Sequence, residues 1–240
     1  MELSYKSRFI KQAMIAMFLL ISSNYSMAQF TSSNLPIILI GTDQGVEITK
    51  ERIIASMKIV NNAGQRNSVD GPYNDYDGFI SIKRRGSSSW DNYEKKGYTL
   101  ETQLATGENN NVSLLGMPAE NDWVLHGPYA DKTLMKNAFV STVGGELGRY
   151  TPRHKYCELV INGEYKGVYL VVERIKRDKN RINIATLNPD ENTGDDLTGG
   201  YIMRIDRNEG DGYSWQGDFG FGLSYFNYYY PDAVDMSQTQ

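Results

Sequence analysis

The chain holds a single cysteine, Cys157, and two histidines, His126 and His154, in 240 residues. One thiol excludes an internal disulfide. With so few thiols and imidazoles, no Cys/His set reaches the ligand number of a zinc centre. Positive charge is not in excess either. The formal net charge is -4, which argues against a nucleic-acid binder. Regular strand–helix alternation is missing, so a doubly wound parallel sheet is disfavoured, and there is no internal repeat. Past the first 28 residues no apolar run is long enough to cross a bilayer as a helix.

What is present points to export and to a packed core. Lys6, Arg8 and Lys11 precede the apolar run Ala13 to Ile21, and Ser26-Met27-Ala28 follows with small residues at both cleavage positions. That pattern predicts a signal peptide over 1–28, cut before Gln29, and an exported mature part over 29–240. The destination is the periplasm, the cell surface or the medium. The 17 tyrosines suit strands or wet binding surfaces, because the ring packs while the hydroxyl stays hydrated. Charge is unevenly placed. From Asn188 to Gln240 ten acids face only Arg204 and Arg207, whereas bases cluster at Lys83–Arg85, Lys95–Lys96 and Arg174–Arg181. Such clusters read as solvated faces or as an anion site.

Hydrophobic periodicity places strands at Leu35–Ile40, Phe79–Arg85, Lys96–Leu104 and Gly200–Asp206. Val46–Val60 suits a strand pair or a short helix, and 61–77 reads as loop. Asp131 caps a helix expected over Lys132–Leu147, stopped by Gly148. Asn162-Gly163 joins Tyr156–Ile161 to Glu164–Glu173 in a hairpin. Residues 208–231 take no assignment. Strands, one helix and a strong hairpin predict an α+β domain, with an antiparallel sheet and one packed helix. Period two sets Lys96 on the apolar face with Tyr98, Leu100 and Leu104. An ammonium there needs an anionic partner.

Several segments, in order over 79–206, resemble the CotH (spore-coat-protein-H-like) kinase family. They are Lys83-Arg84-Arg85-Gly86-Ser87-Ser88-Ser89-Trp90, Lys95 to Leu100, Leu115 to Ala119 with Asp122 to Leu125, Tyr129 to Asn137, Glu158 to Leu170 running into Glu173, and Asp178 to Arg181. The resemblance implies an atypical protein-kinase-like N-lobe with a hinge hairpin. It implies ATP with Mg or Mn as cofactors, and transfer to Ser or Thr of secreted or surface proteins. Arg85, Gly86, Ser87 and Ser88 would then approach phosphates, Lys96 would neutralise them, and Tyr169 or Glu173 would contact the base. Glu146, the one acid in the helix, would hold Lys96. Lys136 stands where the family commonly has Arg, and Gly97 where Pro is common; a lysine there forgoes a bidentate fork.

The family's catalytic and metal-holding acids belong to Asn-x-Asp and Trp-Asp-x-Asp segments of a helical second lobe. Neither segment is read here, so these acids are expected downstream of Gln240, and the 240-residue chain is expected to be an inactive fragment lacking most of its C-terminal lobe. Asp218-Phe219-Gly220 spells the metal triplet of conventional kinases, but no His-Arg-Asp loop precedes it, so it reads as coincidence. The alternative function is a non-catalytic surface module that binds polysaccharide or protein through Trp90, Trp123, Trp215 and its tyrosines. Neither reading sets an oligomeric state.

Overall fold

The computed structural model describes residues 30–208, 214–218 and 223–240. The expected signal peptide over 1–28 lies outside them. Two short strands, β1 (Ser32–Ser33) and β4 (Asn67–Ser68), pair with each other beside the main body. The main body is a closed barrel of seven strands. Its members are β2 (Ile37–Thr42), β3 (Ile53–Val60), β5 (Tyr76–Arg85), β6 (Gly97–Gln103), β7 (Asp122–His126), β8 (His154–Ile161) and β9 (Glu164–Glu173). Around the barrel the order is β2-β3-β5-β6-β7-β9-β8. Every pairing is antiparallel except the closing one. There β2 runs parallel to β8, with Ile37 opposite Glu158 and Ile40 opposite Ile161.

Alternation explains the barrel. Ile38 and Ile40, Met57 and Ile59, Ile80 and Ile82, Leu100, Trp123 and Leu125, Leu159 and Ile161, and Val171 all belong to one buried core. Each stave offers this set at every second residue, and β-branched side chains fit the pleat. Full burial of each large side chain contributes about 1.5–3 kcal/mol. The hairpin turn takes positive φ at both central residues, +52 at Asn162 and +78 at Gly163. The Asn162 side chain also exchanges hydrogen bonds with Thr42, pinning the turn to the end of β2.

One barrel end is plugged by α1 (Ser88–Asn92), whose Trp90 packs on the core and meets Tyr98 edge to face at 5.8 Å. The longer helix, α2 (Lys136–Glu146), behaves differently. Ala138 is its only buried residue, while Phe139 and Val140 are 64% and 67% exposed. Beyond the barrel, α3 (Gly194–Thr198) leads to a small antiparallel sheet in the order β10-β12-β11: β10 (Ile202–Asp206), β11 (Trp215–Asp218) and β12 (Leu223–Tyr230).

These observations correct the expected fold. The chain is not an α+β kinase-like N-lobe with one helix packed on an open antiparallel sheet. It is mostly β, with a closed barrel and few helices. The physical reason lies in two features. The sheet closes on itself through a parallel contact 121 residues apart in sequence (Ile40 to Ile161), which no local turn signal announces. The helix's apolar residues meet solvent, so no packed layer forms. The hairpin is present, as two staves of the barrel. Val46–Val60 yields the single strand β3, and the loop over 61–77 contains β4.

Candidate functional site

β5 ends at Arg85, and the chain must then turn sharply into α1. Gly86 makes the turn with φ +111, and a Cβ there would collide with the Ser89 Oγ. Only glycine suits both demands. The Ser87 carbonyl accepts from the Trp90 amide at 3.0 Å, and its hydroxyl accepts from Arg207 Nη1 at 3.0 Å. The Ser88 carbonyl accepts from Asn92 Nδ2. Arg85, Gly86, Ser87 and Ser88 are all exposed.

Lys96 does not reach this rim. Its Nζ donates to the Trp90 carbonyl and lies 5.4 Å over the Trp90 ring, where Arg84 also sits at 5.3 Å. Two cations thus close the indole plug from outside. Glu146 is exposed at the end of α2 and forms no ion pair with Lys96. The neighbouring lysine takes the other position. The Lys95 stem crosses Gly127, and its Nζ stands 4.8 Å over the Tyr169 ring, with no carboxylate partner among the described residues. Burial lowers the Lys95 pKa, and Glu158 partly offsets this.

Tyr169 and Glu173 are spoken for. Tyr169 is 1% exposed and donates to the Lys96 carbonyl at 2.8 Å. Glu173, also 1% exposed, accepts from Arg181 Nη1 at 2.6 Å and from Arg153 Nε at 2.7 Å. Tyr150 and the Arg153 amide bind its second oxygen. Cys157 lies wholly inside the barrel, and burial pushes its thiol up, so it offers no thiolate chemistry at neutral pH.

Two chambers meet at the β5 and β7 ends. The first, about 240 Å³, is lined by Arg85, Gly86, Ser89, Lys95, His126 and Asn137, among others. The second, about 400 Å³, shares Arg85, His126 and Asn137. It continues past Val172 and Glu173 to Arg174, Met203, Asp206 and Tyr229. Burial, then Arg85 and Lys95, lower the His126 pKa, so its imidazole is neutral at pH 7. Arg85 makes no ion pair among the described residues. The chambers therefore combine two cations without ion pairs among the described residues, a neutral histidine, apolar walls and the carboxylates of Asp131, Glu173 and Asp206. That chemistry suits a phosphorylated ligand with a flat apolar part. Among the described residues no cluster of three His, Cys, Asp or Glu side chains could hold a metal ion.

Of the residues expected from sequence, the structure brings Arg85 and Gly86 to the first chamber and Glu173 to the wall of the second. Ser87 and Ser88 stay on the rim, and Lys96 and Tyr169 belong to the plug and the core. Sequence reasoning missed Lys95, because β6 begins only at Gly97 and the alternation does not extend back through Lys96. It also missed His126. Position at the end of an apolar run, in a chain with so few histidines, was the available signal. Contrary to the expectation that no Asn-x-Asp segment occurs, Asn188-Pro189-Asp190 spells one, in a loop where Asn188 Nδ2 donates to Glu191. Phe219 and Gly220 of the Asp218 triplet lie outside the described residues.

The sequence matches the family described as CotH kinase protein over residues 82–239, and the chain therefore belongs to it. The match begins inside β5, so the first four strands precede it. No curated protein matches the chain.

Proposed function

We propose, with membership of the CotH kinase family as the premise, that the double chamber around Arg85 and His126 binds a nucleoside triphosphate. In this reading the chain serves phosphoryl transfer from ATP to Ser or Thr hydroxyls of exported proteins. Family membership carries the kinase-like part. The site reading rests on one observation: Arg85 and Lys95, both without a carboxylate partner among the described residues, flank the bare backbone turn at Gly86. Phosphate oxygens would take the N–H groups of Arg85 and the Lys95 ammonium. The base would lie in the second chamber, beside Val172 and Met203. A divalent ion would arrive with the nucleotide, since the described residues offer no three-ligand cluster, and no step is assigned to it. The exported setting is supported by the basic, apolar and small-residue pattern of the first 28 residues.

The aromatic-platform alternative finds less support. Trp123 is fully buried and Trp90 packs on the core, so neither contributes to an exposed coplanar face.

Titration of the chain with a fluorescent ATP analogue and Mg²⁺ tests the proposal. Arg85→Ala and Lys95→Ala should each weaken binding about tenfold or more, as expected for the loss of a hydrogen bond to a charged group. Lys96→Ala should lower the melting temperature and leave affinity within about twofold. Wild-type affinity in both Arg85→Ala and Lys95→Ala would remove the chamber from consideration.

A further inference from the structure

A third chamber opens beside the second, with Arg174, Arg204 and Tyr229 in the shared wall. Its volume is about 510 Å³, and it lies between the barrel and the outer sheet. Four cations line it, Arg174, Lys176, Arg177 and Arg204, against two acids, Asp122 and Asp232. The acids are already engaged. Asp122 accepts from Arg174 at 3.0 Å and from Lys176 at 2.7 Å, and Asp232 caps the Val234 amide.

Arg177 is different from its neighbours. Its guanidinium lies 5.2 Å over the Tyr230 ring, as that of Arg204 lies 5.5 Å over Tyr229. Arg177 has no carboxylate within ion-pair distance among the described residues. Both rings are held in place: the Tyr229 hydroxyl donates to the Ile175 carbonyl at 2.7 Å, and the Tyr230 hydroxyl accepts from the Leu187 amide at 3.2 Å. A guanidinium stacked on a fixed ring keeps its N–H edge in a set plane, ready for a bidentate anion. The chamber wall also contains Asn227, which is 3% exposed. Its Nδ2 donates to the Arg207 carbonyl at 3.3 Å, while its Oδ1 has no partner among the described residues. A buried acceptor without a donor is costly, and a ligand N–H would relieve it.

We infer that this third chamber docks an acidic side chain of the acceptor protein, with Arg177 gripping its carboxylate or phosphate and Asn227 Oδ1 receiving a peptide N–H. The inference rests on the nucleotide reading of the adjoining chambers, because the shared wall at Arg174 and Tyr229 sets a docked segment beside the second chamber, where that reading places part of the nucleotide. A peptide supplies both halves of the match, an anionic side chain and a nearby N–H donor. An acidic residue and a phosphoserine share the anion chemistry.

The test uses the 240-residue chain and fluorescein-labelled peptides of one serine flanked by aspartate, by phosphoserine, by alanine or by lysine, read by anisotropy. Aspartate or phosphoserine peptides should bind about tenfold or more tighter than the alanine peptide, and Arg177→Ala should abolish that difference. A tighter phosphoserine arm assigns a phosphate, and equal arms assign a carboxylate. Mg²⁺-ATP affinity should be unchanged in Arg177→Ala, so loss of nucleotide binding by the wild-type chain would sink the nucleotide reading alone. Asn227→Asp, which sets a carboxylate in the wall, should repel the acidic peptides. Equal binding of alanine, lysine and acidic peptides overturns the inference. So does wild-type preference in Arg177→Ala, and so does uptake of a uronate oligosaccharide by a chain that ignores acidic peptides.

Discussion

Glu173 shows how a single buried charge can be tied into the barrel end. Its carboxylate is shared by Arg181, Arg153, Tyr150 and a backbone amide, and Arg181 in turn lies 4.9 Å over the Trp123 ring. Both partners of the Glu173–Arg181 pair have fully buried side chains. Removing one leaves the other charge in a poorly hydrated interior, and that residual charge dominates the cost. Arg181→Leu should therefore destabilise the fold by about 3 kcal/mol, read as a lowered urea midpoint with an unchanged slope. An unchanged midpoint would mean that Arg153 alone satisfies the carboxylate. The expected role of Glu173 as a base contact came from its position at the end of a hairpin strand. Its occupation by four donors depends on Tyr150, Arg153 and Arg181, which period and spacing do not bring together.

At the scale of elements, α1 and α2 invert what length suggests. The five-residue α1 delivers Trp90 to the core, whereas the eleven-residue α2 buries only Ala138. The expected cap is displaced: α2 begins at Lys136 with Met135 at its N-cap, and Asp131 lies in the turn before it, where its carboxylate accepts from the Lys136 amide at 2.8 Å and from Thr133, whose hydroxyl bond leads the causes that hold its pKa at about 2. The turn at Asp131 was legible because it is local, but the helix start was not, because Leu134 takes φ +59 and delays it to Lys136. The burial of the helix was not, because its apolar residues at 139, 140, 143 and 147 require a partner surface that local sequence does not specify. Phe139→Ala should change stability by less than about 0.5 kcal/mol, while Trp123→Ala should cost about 3–5 kcal/mol. Thermal melts of the two variants check this. A large loss in Phe139→Ala would mean that α2 packs more closely than its 64% exposure at Phe139 indicates.

For the whole molecule, closure of the barrel and the charges on its outer wall act together. Arg52, Glu101, Arg174, Asp122, Lys176 and Glu120 alternate in sign through direct ion pairs. Burial works to raise the Asp122 pKa, but the Lys176 bond and then Arg174 outweigh it, so the value falls below the usual 3.8. A carboxylate with a depressed folded pKa contributes stability above its unfolded pKa and loses it as pH falls through the folded value. Melting temperature should thus hold from about pH 7 to about pH 5 and then drop below about pH 4. Asp122→Asn should flatten that drop, and an equally steep drop in the variant would assign it to other groups.

By itself the sequence determined the family, through ordered motifs, and the strands and turns that neighbouring residues dictate by steric and hydrogen-bonding preference. Only the tertiary structure decided that the sheet closes, that Lys95 rather than Lys96 faces the chamber, and that α2 stands in solvent. Those outcomes depend on contacts between residues far apart in the chain, such as Ile40 with Ile161 and Lys95 with Tyr169. Burial and charge pairing there are properties of the assembled barrel, and no local pattern encodes them.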